Sequence, residues 1–472
     1  MNARDALSAK SISSSSPLFG HQKLSVAKHA KTPVIFDNSD PGTGKTRVQI
    51  EVFAARRRKK GKAALVVCTK SLIDSAWKDD FNKFAFDMHV VTAYAENREE
   101  AFAIDADVYV TNHDAVKWLA KKPASFFKRF DTLIVDESTA FKHHTSQRSK
   151  AIAKIAKYFV YRTCMTGTPI ANGVCDVWHQ VMILDDGKRL GNLFTKFQQA
   201  ACNYVKGNKE EGGDERYGKW VDRPGIENVV GELLKDIIIR HKFEDCVDIP
   251  PNHRYAIKIN LSKKHQALYN KMAFDKFLEL KGKPINAVNG GALYQKLLQV
   301  ASGAVYSTPG DWETVDTERY ELVLDLVEER PQTIVFFSWE HQRDKLVEEA
   351  ERRGITYAIY DGSVTNTNKR NEIVKSFQRG ELRTIFAHPK SAGHGLTLTK
   401  GTATIWASPT YNLEYFLQGL KRVHRIGQTE KTETIVIVAN DTVDEQVWEV
   451  CQGKDARQKD FLTVLEQQMR GV

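Results

Sequence analysis

The chain predicts an α/β protein built on two separate parallel sheets. Three observations carry that reading. Short β-branched runs alternate with amphipathic stretches, they fall into two series, and a different pattern lies between the series. The first series comprises residues 32–36, 63–68, 108–111, 133–135 and 160–165. The second comprises 333–338, 356–360, 384–387, 404–407 and 434–438. Strands that alternate with helical segments run parallel and need cover on both faces, so each series implies one α/β unit. Between them, residues 207–225 are charged and glycine-containing and read as an exposed loop, and Pro250-Pro251 marks a boundary. The spacing over 261–280 and 292–300 predicts a helical insertion, and that over 442–469 a terminal helix. The expected organisation is an N-terminal unit over 1–248 with an insertion near 180–235, a linker and helical insertion over 249–310, and a C-terminal unit over 311–472.

Composition narrows the class. A chain of 472 residues has room for two to four domains, and 42% hydrophobic with 27% charged residues excludes wholesale disorder. No apolar run approaches the roughly 18 residues of a membrane span. The first twenty residues carry Asp5 and a polar tract at 11–16 where a secretory leader needs an apolar stretch. The six cysteines (Cys68, Cys164, Cys175, Cys202, Cys246, Cys451) form no CxxC pair, which argues against a zinc module and fits a reducing compartment. The net charge of +10 suits a polyanionic partner, although surface solubility explains it almost as well.

The chemistry begins after the first predicted strand. Ser39-Asp40-Pro41-Gly42-Thr43-Gly44-Lys45-Thr46 separates that strand from a helix-like stretch over 48–57. Glycines at 42 and 44 let the backbone curl so that its N–H groups face phosphate oxygens at a helix N-terminus. Lys45 supplies a point charge to the β- and γ-phosphates, and the Thr46 hydroxyl can ligate magnesium. Ser39 stands where the usual pattern has its first glycine. The loop needs a carboxylate from a neighbouring strand end, and Leu133-Ile134-Val135-Asp136-Glu137 provides two. Asp136 is placed to hold magnesium and Glu137 to position and deprotonate the attacking water. Alone, such an acidic pair is usually a solvated turn. With Lys45 and Thr46 it points to ATP hydrolysis.

The second half carries Gln418-Gly419-Leu420-Lys421-Arg422-Val423-His424-Arg425-Ile426-Gly427-Gln428. On a helix Gln418, Arg422 and Arg425 share a face, the arrangement of an arginine finger or simply of a solvated helix. The whole string resembles motif VI of superfamily 2 motors, and its His-Arg-Ile-Gly-Gln ending is similar to that of the Swi/Snf family of DNA translocases. Further strings follow in order. Leu18-Phe19-Gly20-His21-Gln22 resembles the adenine-reading motif, and residues 65–72 followed by Trp77 resemble motif Ia. Met165-Thr166-Gly167-Thr168-Pro169 resembles motif III, while 334–339 and 392–399 resemble motifs IV and V. Asp176-Val177-Trp178 and Ile239-Arg240-His241-Lys242 resemble stretches special to the family. The chain departs from the pattern at Ser138-Thr139 after the acids, at Thr69 in motif Ia, at Thr397 in motif V, and at residues 408–412.

The resemblance implies two RecA-like lobes with helical insertions, ATP and Mg2+ as cofactors, and duplex or branched DNA as partner. It implies ATP contacts from Gln22, Pro41, Gly42, Thr43, Gly44, Lys45, Thr46 and Gly395, and catalysis by Lys45, Asp136, Glu137, Arg422 and Arg425. Thr46 and Asp136 are the expected metal ligands, and Thr166, Thr168 and Gln418 the coupling residues. Lys70, Thr111, Ser338, Trp339 and Lys390 lie in or beside motifs that grip DNA, yet each has an equally ordinary surface or core reading. The expected activity is an ATP-dependent DNA translocase. Two other readings stay open: a strand-separating DNA or RNA helicase, and a nucleic-acid-binding scaffold with weak catalysis. A monomer is expected in the cytoplasm of a bacterial or virus-infected cell, beside replication or repair proteins. The run at 56–62 (Arg56-Arg57-Arg58-Lys59-Lys60-Gly61-Lys62) reads better as a helix-dipole complement than as a nuclear-localisation signal.

Overall fold

All six residues of strand Ala63–Cys68 are buried, as a parallel strand covered on both faces requires. A computed structural model, which describes residues 17–206, 218–281, 287–308, 310–392 and 396–470, sets this strand inside a seven-stranded sheet. The order is Val90–Ala93, Val108–Asn112, Ala63–Cys68, Phe130–Asp136, Tyr161–Met165, Val34–Asp37 and Ile238–Ile239, all parallel. Register decides what reaches the carboxyl edge. Asp37 pairs with Met165, and Met165 with Asp136, so three chain segments leave the sheet side by side. That edge is where open parallel sheets bind ligands.

The second sheet runs Asn252–Ile259, Thr432–Ala439, Ala403–Trp406, Thr333–Phe336, Thr384–Ala387 and Tyr357–Tyr360, again parallel throughout. Its strands show the period of two directly. Ile334, Phe336, Ile385, Trp406 and Val436 pack into one core, while Val335, Phe386, Ile405 and Ile435 pack into another. Both faces are therefore dry.

Every predicted strand is present, with ends displaced by up to three residues. Val90–Ala93 and Ile238–Ile239 are two strands that the sequence reading does not contain. Asn252–Ile259 corrects part of the expected linker: it is an edge strand paired over its whole length with Thr432–Ala439. Helices Lys263–Lys281 and Ala287–Ala301 form the expected insertion, followed by an antiparallel pair, Ala304–Thr308 with Asp311–Thr314. The expected loop is corrected as well, since Gly218–Asp222 pairs with Cys202–Lys206 as a two-stranded sheet. Residues 207–217 lie outside the described part.

The described residues divide into two units. The first falls within Met1–Ala201, Asp222–Cys246 and Asp460–Val472, the second within Cys202–Val221 and Val247–Lys459. The last helix, Val443–Arg470, contributes to both. Inside the first unit its end meets the segment after strand Ile238–Ile239: Glu466 pairs with Lys242 at 2.8 Å, and the Arg240 N–H reaches Met469 Sδ at 3.2 Å. The basic run ending helix Lys45–Arg58 is tied down locally, with Arg57 on Asp107, Arg58 on Asp87 and Arg56 on the His29 carbonyl. No described helix is long and apolar enough to cross a membrane.

Candidate functional site

The phosphate loop is shaped by its glycines. Gly42 and Gly44 have φ of +90° and +80°, values that an L side chain rarely adopts. A Cβ on Gly44 would stand 2.2 Å from Gln22 Nε2, and one on Gly42 would stand 2.9 Å from the Phe243 ring. Only glycine fits either position. The resulting curl leads into helix Lys45–Arg58, whose positive end is the kind of place where backbone N–H groups bind anions. Lys45 Nζ donates to the carbonyls of Ser39 (2.7 Å) and Asp40 (3.1 Å), so the ammonium lies across the loop. Thr43 Oγ1 donates to the Asp40 carbonyl at 2.9 Å, and Thr46 sits in the first helical turn. Gln22 is buried with both ends of its amide engaged: Oε1 accepts from the Phe19 N–H and Nε2 donates to the Thr43 carbonyl. It closes helix Gly20–Lys31 against the loop.

Two strands away in the sheet, Asp136 ends Phe130–Asp136 and is 8% exposed. Its Oδ2 accepts the Trp77 indole N–H at 3.0 Å and its Oδ1 the Glu137 N–H at 3.0 Å. Burial pushes the Asp136 carboxyl above its usual range against the pull of that indole and of Lys45, and the Asp37 carboxylate adds to the push. His113 donates from Nε2 to the Asp136 carbonyl at 2.7 Å, and burial lowers its imidazole to about 4, which keeps it neutral at pH 7. Glu137 has φ +51°, an uncommon conformation for a residue with a side chain and one that gathers at functional sites.

Asp136 and Thr46 offer a carboxylate and a hydroxyl oxygen, the hard donor type that suits magnesium. No group of three His, Cys, Asp or Glu among the described residues could hold a metal alone. A cation here would take its remaining ligands from phosphate and water, as magnesium commonly does.

Between the two halves of the site runs a line of hydroxyls. Thr139 Oγ1 and Thr166 Oγ1 are 3.4 Å apart, Thr166 and Thr168 Oγ1 likewise, and Thr168 N–H donates to Thr166 Oγ1 at 3.0 Å. Thr139 therefore keeps a link to Thr166 despite the unusual residues after the acids. Gln180 completes the link. It is fully buried, accepts from Ser138 Oγ at 2.7 Å, and donates to the carbonyls of Pro169 and Asp176.

Gln180 and His113 carried no sequence signal of their own, Asp40 only its place in the loop string, and Arg240 and Trp77 only that of a family-like string. Arg240 is 5% exposed and donates to Asp40 Oδ1 at 2.6 Å and to the Asn38 carbonyl at 3.0 Å. Asp40 Oδ2 accepts the Phe243 N–H, and Ser39 Oγ the His241 N–H. The short strand Ile238–Ile239 thus delivers a brace to the phosphate loop. Asp40→Ala is expected to lower stability by about 3 kcal/mol, because it strips a buried guanidinium of its carboxylate. Denaturant unfolding followed by circular dichroism measures this, and an unchanged midpoint would refute the brace.

In the second unit, helix Leu413–Leu420 carries Gln418 but ends before Arg422. The expected common helical face is not formed, because the Arg422 N–H bonds to Gly419 and its carbonyl accepts from Leu398. The arginines converge by another route: Arg422 Nη1 and Arg425 Nη1 both donate to the Leu396 carbonyl, at 3.3 and 2.9 Å. Arg422 Nε also holds the Gln418 carbonyl at 2.8 Å. Gly395 lies outside the described residues.

The expected DNA-facing residues separate into two groups. Lys70 and Lys390 are exposed, and Ser338 is half-buried with its N–H on Gln342 Oε1. Trp339 packs against the core formed by Tyr269, Leu297 and Val447, the ordinary reading of that residue. Thr111 requires correction. It is fully buried, and its hydroxyl donates to the Ala93 carbonyl at 2.7 Å, so it serves the sheet rather than a phosphate.

Comparison with known proteins bears on this geometry. The description "SNF2-related domain" matches residues 29–302, more than half of the chain, and "Helicase conserved C-terminal domain" matches residues 318–427. The chain belongs to the SNF2-related family. It is 28% identical over 424 residues to protein p41 of Acyrthosiphon pisum secondary endosymbiont phage 1, covering 86% of this chain and 88% of that protein. It is 26% identical over 410 residues to an uncharacterized ATP-dependent helicase of Mycoplasma genitalium, covering 84% of this chain and 36% of the other. The chain thus spans most of the phage protein but about a third of the Mycoplasma one. Among solved structures, a Sulfolobus solfataricus SWI2/SNF2 ATPase core in complex with dsDNA is 18% identical with a TM-score of 0.43, covering 98% of each chain. As a family member with helicase-type domains, this SNF2-related chain is an ATP-hydrolysing enzyme.

Proposed function

We propose that this SNF2-related ATPase is a motor that moves on, or remodels, duplex or branched DNA through contacts to its phosphates. One observation supports this most: the loop of Lys45, the pair Asp136-Glu137 and the hydroxyl of Thr166 leave neighbouring strands at one sheet edge. Lys45 and the N–H groups of its loop bind the β- and γ-phosphates. Thr46 and Asp136 hold magnesium, which when bound offsets charge on the transferring phosphoryl group. Glu137 orients the attacking water and takes its proton. Arg422 and Arg425 add positive charge in the hydrolysing state. Thr166, Thr168 and Gln418 couple that state to the grip on DNA, in which Lys70, Ser338 and Lys390 take part.

ATP turnover is expected to be slow alone and fastest with duplex or branched DNA. Parallel assays with single-stranded DNA, duplex, fork and RNA test this, and equal rates with and without every polymer would refute it. DNA affinity should fall steeply with added salt, because phosphate contacts release condensed counterions. A salt titration by fluorescence anisotropy measures the slope, and salt-insensitive binding would refute phosphate tracking.

A second reading, strand separation, draws on the sheet of Cys202–Lys206 and Gly218–Asp222. Tyr204 and Trp220 are 49% and 41% exposed on it and meet edge to face at 5.3 Å, and exposed aromatics can wedge between bases. Forked-duplex unwinding without triplex displacement would favour this reading.

A further inference from the structure

The segment after strand Ala63–Cys68 joins two surfaces. It turns through Thr69-Lys70-Ser71-Leu72 and enters a π-helical turn, Ile73–Lys78, that runs directly into helix Asp79–Phe84. π turns are rare and gather at functional positions. This one presents two polar side chains in opposite settings. Trp77 is fully buried among Ile73, Phe81, Ile134 and Met165, and its indole N–H donates to Asp136 Oδ2 at 3.0 Å. Asp74 accepts the Tyr94 hydroxyl, and the ring of Tyr94 lies 6.0 Å from the exposed Lys70 ammonium. The Ser75 hydroxyl bonds back to the Ser71 carbonyl, tying the turn to the loop before it.

Within Asp136 the two N–H donors divide the work. The Glu137 N–H is local and follows wherever Asp136 goes. The Trp77 N–H comes from a separate element, so it sets the torsion of the carboxylate relative to the rest of the site. It occupies one lone pair of Oδ2, so a cation held by Asp136 would have to use the remaining ones. Donors that orient a metal-binding carboxylate in this way typically govern affinity or activity by 10- to 100-fold.

We infer that Trp77 is a positioning residue for Asp136, and that the π turn Ile73–Lys78 carries the effect of polynucleotide bound beside Lys70 and Tyr94 to that carboxylate. The second half rests on the DNA-motor reading above, whereas the first does not. A rotation of the turn that follows Lys70 moves the Trp77 N–H with it, because the indole is packed too tightly to swing independently. DNA bound at the outer side would then alter the cation site without touching nucleotide.

Two variants test this. Trp77→Phe removes the donor and some volume. Site-specific replacement of Trp77 by 3-benzothienylalanine exchanges only the indole N–H for sulfur and retains the shape, which guards against a loss caused by misfolding. The first readout is Mg2+ titration of a fluorescent ATP analogue bound to the full chain without DNA. Both variants should need about tenfold more Mg2+, while nucleotide affinity without Mg2+ stays within twofold. Unchanged Mg2+ dependence in the benzothienyl variant would overturn the positioning role. The second readout is the ratio of ATPase rates with and without duplex DNA, which should fall at least fivefold in both variants and in Asp74→Asn. A normal ratio in all three would overturn the route through the π turn. If the unaltered protein shows no stimulation by any polymer, the DNA-motor reading and the route fail together, and the Mg2+ titration still decides the role of Trp77.

Discussion

Glu137→Gln slows ATP hydrolysis by about a hundred- to ten-thousandfold, the range that a positioned general base contributes. The amide keeps the size of the side chain but cannot take a proton from water. Binding should survive. The proposed phosphate cradle rests on Gly42, Gly44 and Lys45, and the proposed cation ligands are Asp136 and Thr46, none of which depends on the charge of Glu137. The left-handed backbone at Glu137 is a property of its position, flanked by Ser138 on Gln180 and by His113 on the Asp136 carbonyl. Glutamine inherits that conformation, so the variant should fold. Rapid-quench measurement of a single turnover, with nucleotide affinity measured separately, checks the expectation. A rate within threefold of the unaltered protein would remove Glu137 from its role.

Lys45→Ala should lower turnover by about a hundredfold or more and weaken nucleotide binding as well, since it deletes the fixed charge proposed to bind the phosphates. The structure adds a second consequence. The ammonium holds the carbonyls of Ser39 and Asp40, and alanine leaves both without that donor. Lys45→Arg should rescue little, because a planar fork cannot reproduce a point charge between two loop carbonyls. Steady-state ATPase assays together with nucleotide titration give both numbers. A variant that binds ATP normally and turns over at near-normal rate would show that the loop is not the phosphate site.

Much of the candidate nucleotide site could be nominated from the sequence because it is local. Gly42, Gly44, Lys45 and Thr46 act within one strand–loop–helix unit, where spacing dictates geometry. Asp136 and Glu137 were legible because an apolar strand ending in two acids has few other uses beside such a loop. Trp77 and Arg240 were legible only as members of family-like strings, and Gln180 carried no signal at all. Each acts on residues more than forty positions away, through a contact that no period or spacing encodes. Thr111 shows the converse error. A threonine in a strand looks the same in sequence whether its hydroxyl faces a phosphate or a neighbouring carbonyl, and here it faces Ala93.

The sequence by itself determined the class of fold, the positions of ten of the thirteen strands in the two large parallel sheets, and a candidate phosphate loop. Those properties follow from short-range patterning: period-two burial, glycine at positive φ, and an apolar run ending in carboxylates. Tertiary structure decided the order of the strands, and with it which edges are neighbours. It placed Tyr161–Met165 between the strand before the loop and the strand bearing Asp136, turning three distant strings into one site. It ended the helix of Gln418 at Leu420 and gathered Arg422 and Arg425 on the Leu396 carbonyl instead. Pairing partners and buried hydrogen bonds are chosen by long-range packing, where each donor must find an acceptor in whatever the fold brings near. That choice is made by the whole chain and is written in no single stretch of it.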